Sequence, residues 1–516
     1  MKKVFNASNW REALPQIVCE DFPEYSQLYN KAWELAHDHV REIEGMPQSP
    51  YMDEAFCDTQ IWIWDSCFMA MFCKFAQEAF PGVETFKNFY DPLYNGVALP
   101  EILPGEKEPW WTGATPNEPF RIKVHIADNP PLFAWAEYEN ALFHGDKAYL
   151  KTLLYEKQSL QRHYAWLESL KEKTRIPGVH CGTHWIAEKD GYKWECGVSG
   201  MDNTPRGRAG AQAEKERPNN PDMLWLDAIC QQALAAKKIA ELFALLGDHQ
   251  QEQVWRERYL QKRETVNALY WDEEDKFYYD IDANDNHFYK VPTIASYWAL
   301  TSGIATKERA LELLKKAQDP QFFGGNVPLV SLAKSDGDFV STGKYWRGSL
   351  WLPTAYAALK GFAEYGFYQE AHTAAYRIVQ HMLATYLQCE PHTIWECYSP
   401  TATTPGTKPN GVDLVRKDFC GWSALGPISI LIEYVLGFHT VNAFEKVVEW
   451  AKPETFTGKI GVKNLHFGDV VTDVVAEGNR CFVTANKPYR LKINGREYVV
   501  CVGENTFEIE KDKGKN

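Results

Sequence analysis

The chain lacks the features that would assign it to a membrane or to nucleic acid. No apolar run approaches the roughly 18 residues that a membrane span needs. Positive charge is in deficit, since 55 lysines and arginines stand against 69 aspartates and glutamates and give a formal net charge of −14. An acidic surface repels phosphate groups. We therefore expect no membrane and no nucleic-acid partner.

A secretion signal is also missing from the first 18 residues, MKKVFNASNWREALPQIV, which carry two lysines but no apolar core behind them. This predicts a cytoplasmic protein, or an exported one whose signal peptide has been removed. The sequence leaves the oligomeric state open, a homo-oligomer included.

The twelve cysteines include no C-x-x-C pair, and several of them, such as Cys67, Cys73 and Cys420, lie in apolar stretches. Buried free thiols explain this placement better than a zinc site or a disulfide framework does. The segment 278–289 carries a D-x-D-x-N pattern like the start of an EF-hand loop, but Asp285 and Val291 replace the required glycine and glutamate. We interpret that segment as a β-hairpin and expect neither a metal nor an organic cofactor.

Aromatic residues are abundant, with 19 Trp, 26 Tyr and 27 Phe. Many tryptophans stand beside polar or charged residues, among them Trp62, Trp64, Trp110, Trp111, Trp185, Trp194, Trp346, Trp351, Trp395 and Trp422. An aromatic face can hold the apolar face of a sugar ring and leave its hydroxyls free to hydrogen-bond. The alternative, that tryptophans fill a large core, holds for most single tryptophans but explains this many polar clusters less well.

Hydrophobic periodicity predicts about twelve helices before residue 440. Their segments are 23–44, 65–79, 83–96, 130–144, 147–171, 221–246, 248–270, 292–301, 306–318, 346–366, 367–387 and 419–437. Short Gly-containing turns join some of them as antiparallel neighbours, and long loops at 97–128, 172–220, 319–345 and 388–418 separate others. This pattern predicts a mainly α fold, an (α/α)6 barrel whose long loops gather at one end.

After residue 440 the pattern changes to short β-branched runs cut by Gly, Asn and Pro, with an Asn-Gly hairpin signal at 494–495. We expect a catalytic barrel domain over 1–440 and a small antiparallel, β-sandwich-like domain over 441–516 that packs against it. The segment 4–10 is expected to add a strand to the small domain, and the charged tail 510–516 to be disordered.

Two long loops carry candidate catalytic carboxylates. Asp202 lies among the turn formers of SGMDNTPR, and Glu396 lies between Trp395 and Cys397 in IWECYSP. Neighbouring aromatics desolvate a carboxylate and suit it to proton transfer. Two carboxylates that face each other in an aromatic-lined pocket could hydrolyse a glycosidic bond, one as acid and one as base. The alternative is that both are capping or solvent-facing residues, as most Asp and Glu are.

Four stretches, in this order, resemble the trehalase-like clan of inverting (α/α)6-barrel glycosidases, glycoside hydrolase family 63 among them. The stretches are QIWIWDSCF (60–68), SGMDNTPR (199–206), YWRGSLWLPTAYAALKGF (345–362), and IWECYSP with DFCGWSALG (394–400 and 418–426). The clan includes trehalases, the processing glucosidase of N-glycan precursors, its bacterial α-glucosidase relatives and mannosylglycerate hydrolases.

The resemblance implies that Asp202 is the general acid and Glu396 the general base. It also implies sugar contacts from Gln60, Trp64, Asp65, Asn203, Arg206, Trp346, Arg347, Trp395 and Trp422. For Arg206, a structural salt bridge is an equally good interpretation.

The chain departs from trehalases at several points, which argues against trehalose as the substrate. Val198 stands where trehalases have a glutamate, and no P-R-x-x-S-W signature is found. We expect an inverting, exo-acting hydrolase that releases a terminal sugar, α-glucose, from an oligosaccharide or small glycoside. The alternatives are an α-mannoside or glycosylglycerate as substrate, a phosphorylase or lyase on the same barrel, and a non-catalytic carbohydrate-binding barrel.

Overall fold

The computed structural model describes residues 9–43, 46–55, 61–90, 128–174, 183–208 and 216–509. Gln60, residues 4–8 of the predicted strand at 4–10, the tail 510–516 and nearly all of the predicted loop 97–128 lie outside these ranges.

Helices dominate the described chain up to residue 435. The α-helices are Tyr25–Asp38, Ile63–Cys73, Lys87–Tyr90, Phe133–His144, Lys147–Lys151, Ser159–Ser169, Leu226–Leu246, His249–Leu269, Trp298–Thr301, Lys307–Gln318, Leu352–Glu364 and Tyr368–Gln388. Thr152–Lys157 and Gly426–Val435 are π-helical, and short 3₁₀ turns lie at Trp10–Ala13, Lys74–Ala76, Val83–Phe86, Pro205–Gly207, Ile294–Tyr297 and Ser423–Leu425.

The long helices divide into an inner and an outer layer. Every residue of Ile63–Cys73 is buried, and Leu226–Leu246 and Gly426–Val435 are buried on nearly all sides. By contrast, His249–Leu269 buries only Trp255 and Val266 along its 21 residues. A helix that is apolar all round belongs in the interior, and a polar one belongs on the surface. The tight turn at Gly247, whose φ is +78°, joins an inner helix to its outer neighbour.

Several predicted helices are too long, and two of them include residues whose backbone breaks a helix. The predicted helix 346–366 begins only at Leu352, because Lys344 and Tyr345 have positive φ and Gly348 has φ +145°, a conformation no helix allows. The predicted helix 147–171 is interrupted at Gln158, whose φ is +52°. The first of these errors lies at the candidate site.

The C-terminal region is a pair of sheets. One has the strand order Gln16–Cys19, Ile460–Phe467, Val470–Glu477, Arg480–Ala485 and Gly503–Glu508, all antiparallel; the other has the order Thr440–Asn442, Val447–Trp450, Tyr489–Ile493 and Arg496–Val500. The pair Val447–Trp450 and Tyr489–Ile493 is parallel, which the prediction of an antiparallel domain missed. The N-terminal segment does supply a strand, but at 16–19.

The remaining strands are short and lie between helices. They are Val40–Arg41, Tyr51–Met52, Ile186–Ala187, Tyr192–Lys193, Met223–Leu224, Trp271–Asp272, Phe277–Tyr278, Asp280–Asp282 and Phe288–Tyr289. The predicted hairpin at 278–289 is confirmed, because Asp280–Asp282 pairs antiparallel with Phe288–Tyr289. The ten cysteines in the described ranges are free thiols, most of them buried. Across the same ranges, no helix combines the length and apolarity needed to traverse a bilayer.

Candidate active site

Three carboxylates from distant parts of the chain meet in one region. Asp65 lies in the first turn of the inner helix Ile63–Cys73, Asp202 lies in a loop, and Glu396 lies in the loop after Tyr368–Gln388. Burial raises the pKa of Asp65 well above its usual value, and the negative charges of Asp202 and Glu396 raise it further. Like charges brought this close disfavour joint ionisation, which adds to the effect of burial on Asp65.

Asp202 occupies the more open position. Its side chain is 32% exposed, and Nη2 of Arg217 lies 3.5 Å from its Oδ2. Burial and then the charge of Glu396 raise the pKa of Asp202 to about 6, against the opposing effect of Arg217 and Arg416. A carboxyl group with such a pKa is partly protonated at neutral pH, as a general acid must be.

The loop of Asp202 is held against an aromatic ring. Gly200 has φ +83°, and a Cβ at that position would lie 3.0 Å from ring atoms of Trp64. Both the conformation and the contact therefore require glycine. Trp64 is 4% exposed, so it forms a fixed wall behind the loop.

Glu396 is buried and held through both carboxylate oxygens. The Tyr345 hydroxyl donates to Oε1 at 2.8 Å, Nη1 of Arg416 donates to the same oxygen at 2.7 Å, and the Arg416 backbone N–H donates to Oε2 at 3.2 Å. The backbone carbonyl of Glu396 accepts from Nε1 of Trp422 at 2.9 Å and from Oγ of Ser423 at 3.1 Å. These contacts fix the carboxylate in a single orientation.

Tyr345 reaches Glu396 from a strained position. Its φ is +64°, rare for an aromatic residue. The Thr407 carbonyl accepts from its N–H at 2.8 Å, and Nε1 of Trp351 donates to its carbonyl at 3.1 Å. Burial raises the pKa of the Tyr345 phenol well above its usual range, so the hydroxyl remains a proton donor to Glu396.

Asn203 joins the loop of Asp202 to the segment 344–347, which carries Tyr345. Its Oδ1 accepts from the backbone N–H of Trp346 at 2.8 Å, and its Nδ2 donates to the Lys344 carbonyl at 3.1 Å. Nε of Arg347 donates to the Asn203 carbonyl at 3.3 Å, while Nη1 of Arg347 reaches Asp338 at 3.0 Å. Since Asn203 is fully buried, its contacts here serve loop positioning. The neighbouring Trp346 is buried too and stacks on another indole.

Arg206 is buried in a network of its own. Its guanidinium donates to Asp227 at 2.6 and 2.9 Å and to Asp280 at 2.8 Å, and it lies over the ring of Trp225 at 4.5 Å. It is 1% exposed. This geometry favours the structural alternative for Arg206, which anchors the end of the Asp202 loop to the scaffold.

Trp64 and Trp395 carry hydrogen-bond donors that no described residue satisfies, as do several tryptophans elsewhere in the described core. Trp64 and Trp395 are each 4% exposed, and neither Nε1–H has an acceptor within the described ranges. A buried donor without a partner is costly, and a sugar hydroxyl could accept from it. Trp422, 8% exposed, instead donates its Nε1–H to the Glu396 carbonyl.

Three residues that the sequence analysis did not select contact the carboxylates. Tyr345 lies in the recognised Y-W-R-G stretch and could have been chosen as its first polar residue. Arg217 and Arg416 follow Asp202 and Glu396 by 15 and 20 residues, a spacing that carries no local signal. No metal or cofactor ligand set lies among these residues; on the separate 278–289 hairpin, Asp282, Asp285 and His287 bring potential ligand atoms within 4.8 Å of one another.

Comparison with known proteins gives the class to which this arrangement belongs. Residues 59–411 match the mannosylglycerate hydrolase MGH1-like glycoside hydrolase domain. The chain belongs to this family and contains its glycoside hydrolase domain.

Individual relatives are distant. The mannosylglycerate hydrolase of Rubrobacter radiotolerans is 21% identical over 403 residues, which cover 66% of this chain and 85% of that protein. An uncharacterized protein of Borreliella burgdorferi is 26% identical over 330 residues, or 63% of this chain, and the cytosolic neutral trehalase of Kluyveromyces lactis is 24% identical over 223 residues, or 42% of this chain. The chain spans 62% and 29% of the lengths of these last two.

Among solved structures, the GH63 mannosylglycerate hydrolase from Thermus thermophilus in complex with glucose superposes with a TM-score of 0.57 at 19% identity. The superposition covers 78% of this chain and 99% of that one. This similarity shows that the two proteins share a fold.

Proposed function

We propose that the protein is an inverting, exo-acting glycoside hydrolase that releases a terminal α-glucose from an oligosaccharide or small glycoside. Asp202 is the general acid and Glu396 the general base. The observation that carries this assignment is the contrast between the two: Asp202 has a pKa raised to about 6, while Glu396 receives three hydrogen bonds, one of them from a guanidinium. Environments that differ in this way assign acid and base roles.

In the proposed reaction, the protonated Asp202 donates its proton to the glycosidic oxygen as the bond to the anomeric carbon breaks. A water molecule attacks that carbon from the opposite face and gives its proton to Glu396. Oε1 of Glu396 already accepts two hydrogen bonds, whereas Oε2 accepts one weaker bond from the Arg416 N–H. Oε2 is therefore the oxygen that takes the proton.

The three carboxylates differ in solvent exposure in a way that supports exo action. Asp65 and Glu396 are 7% and 1% exposed, whereas the side chain of Asp202 is 32% exposed. A terminal sugar would enter with its hydroxyls toward Asp65, Trp64 and Trp395, and its leaving group would remain near Asp202 on the open side. Arg347 and Trp346 would complete the wall of the sugar site.

We also propose that the two helical layers close into an (α/α)6 barrel within residues 1–440, and that 441–516 form a small β domain to which the N-terminal strand Gln16–Cys19 adds. The inner helices Ile63–Cys73 and Leu352–Glu364 both begin at the candidate site, as helices arranged around a common axis would.

A glycosylglycerate is the second candidate substrate, and one observation favours it. Arg217 is 56% exposed and approaches Asp202, beside which the leaving group would lie. A guanidinium there could pair with the carboxylate of a glycerate leaving group. Replacement of the sugar by mannose would give an α-mannosylglycerate, which the name of the family suggests.

The test is to incubate the purified protein with α-linked glucosides and mannosides, disaccharides and both glycosylglycerates included, and to follow the anomeric protons of the released sugar by NMR. Initial release of the β-anomer from an α-glycoside supports inversion. Initial release of the α-anomer contradicts inversion. If the protein hydrolyses a mannoside but no glucoside, the released sugar is mannose and not glucose.

A further inference from the structure

The segment 405–417 forms a small hairpin beside the candidate site. Thr407 pairs antiparallel with Leu414, the Lys408 N–H donates to the Asp413 carbonyl at 2.7 Å, and the Val415 N–H donates to the Gly406 carbonyl at 3.1 Å. We call this segment the 405–417 hairpin.

One arm of the 405–417 hairpin is attached to the segment that carries Tyr345, and the other is attached to Glu396. On one arm, the Thr407 carbonyl accepts from the Tyr345 N–H at 2.8 Å, and its Oγ1 accepts from the Lys344 N–H at 3.0 Å. On the other arm, the Arg416 carbonyl accepts from the Glu396 N–H at 2.9 Å, and both the N–H and Nη1 of Arg416 donate to the Glu396 carboxylate. The hairpin therefore has a fixed position relative to the base.

The pairing determines which side chains share a face. Directly opposed residues in an antiparallel pair, and residues two apart on one strand, point to the same side. Thr407, Leu414 and Arg416 therefore share the face turned toward the catalytic loops, and Val415, 3% exposed, packs on the other. On the catalytic face, Leu414 is 48% exposed and lies about 7 Å beyond Arg416 along the strand.

We propose that Leu414 is a specificity-determining residue that contacts the leaving group, and that this leaving group is a second sugar ring with an apolar C–H face. The inference rests on the proposed function and narrows its substrate to disaccharides and longer saccharides. Arg416 marks the edge of the site, because it contacts the buried Glu396 while its own side chain is 39% exposed. Leu414, one step farther out, can reach only the part of the substrate beyond the sugar that the carboxylates flank. A glycerate has no ring face to offer it.

The test compares Leu414→Asn with the unaltered protein on three kinds of substrate. These are α-glucosyl fluoride, whose leaving group has no ring; α-glucosylglycerate; and the α-linked glucose disaccharides trehalose, kojibiose, nigerose, maltose and isomaltose. If the NMR experiment identifies mannose, the mannosyl counterparts replace them. We expect kcat/KM to fall about tenfold for the best disaccharide, and to stay within twofold for the fluoride and the glycerate.

Leu311→Asn is the matched control, because Leu311 is a leucine of similar exposure, 41%, on the outer helix Lys307–Gln318. It should leave all three rates unchanged. Equal loss on fluoride and disaccharide, or no loss on either, would overturn the inference, and so would turnover of fluoride and glycerate without any disaccharide. Failure of the unaltered protein to hydrolyse even the fluorides would instead overturn the proposed function.

Discussion

Replacing Arg217 by methionine should raise the pH at which activity is lost on the alkaline side. Asp202 acts as an acid only when protonated, so kcat/KM should fall as pH rises through about 6, the pKa of Asp202 in the free enzyme. The positive charge of Arg217, 3.5 Å away, favours the ionised form and lowers that pKa. Removing the charge should therefore move the alkaline limb upward.

The size of the effect follows from exposure. Two unit charges about 4 Å apart in water interact by about 1 kcal/mol, and exposed pairs contribute roughly 0.2–1 kcal/mol. Arg217 is 56% exposed, which puts this pair in that class. Since one pKa unit corresponds to about 1.4 kcal/mol, the limb should move by about 0.5 pH unit. At pH 7 the variant should then hydrolyse a neutral disaccharide about 2.5 times faster than the unaltered protein.

The assay is kcat/KM from pH 4 to 9 on a neutral disaccharide, at low salt and at 1 M NaCl. High salt should shrink the difference between variant and parent, because screening at that concentration acts over about 3 Å. Arg490→Met is the control, since Arg490 is 42% exposed and pairs with Glu497 in the C-terminal sheet. An alkaline limb that stays in place or moves downward in Arg217→Met would refute the assignment of Asp202 as the acid.

Three further predictions concern other parts of the molecule. Asp202→Asn should lower kcat on disaccharides at least a hundredfold but leave kcat on α-glucosyl fluoride unchanged, because fluoride leaves without a proton. Glu396→Gln should abolish turnover of both substrates. Equal behaviour of the two variants on the fluoride would contradict the assignment of Asp202 as acid and Glu396 as base. Tyr345→Phe removes a 2.8 Å hydrogen bond to the buried Glu396 and should reduce kcat about tenfold in steady-state kinetics, with KM nearly unchanged. A change in KM alone would contradict the role of Tyr345 in positioning Glu396. Glu433→Gln breaks ion pairs with Lys74 at 2.8 Å and Lys360 at 3.0 Å and should lower the free energy of unfolding by about 3 kcal/mol, to be checked by urea denaturation with the exposed Glu497→Gln as control.

The sequence predicts the helical scaffold better than it predicts the site. Inner helices such as Ile63–Cys73 can be recognised because apolar periodicity records burial directly. The predicted helix 346–366 wrongly includes 346–351, because the positive φ at the preceding Tyr345 is imposed by contacts with Thr407 and Glu396 that local sequence does not encode. The parallel strand pair of the C-terminal region was missed for the same reason, since strand direction depends on distant partners.

At the site itself, the stretches that carry Asp202 and Glu396 could be singled out by their residue types, but the surroundings of the two carboxylates could not. Arg206 illustrates the limit: its partners Asp227 and Asp280 lie 21 and 74 residues away, and nothing in the local sequence links either of them to Arg206. Sequence alone therefore left sugar binding and structural support equally plausible for Arg206, and only the burial of its guanidinium between two carboxylates distinguishes them.

A ring of four largely buried charges, at the far ends of the helices that carry the site, helps to hold the catalytic carboxylates in place. Lys74 and Lys360 each contact both Glu139 and Glu433, at 2.8 to 3.0 Å. Lys74 directly follows the helix whose first turn holds Asp65, and Glu433 lies in the π-helix that follows Trp422. The helices thus present the site at their beginnings and meet in the ring near their ends. A shift of one helix along its axis would separate these largely buried ion pairs, so the ring fixes the axial positions on which the geometry of the site depends.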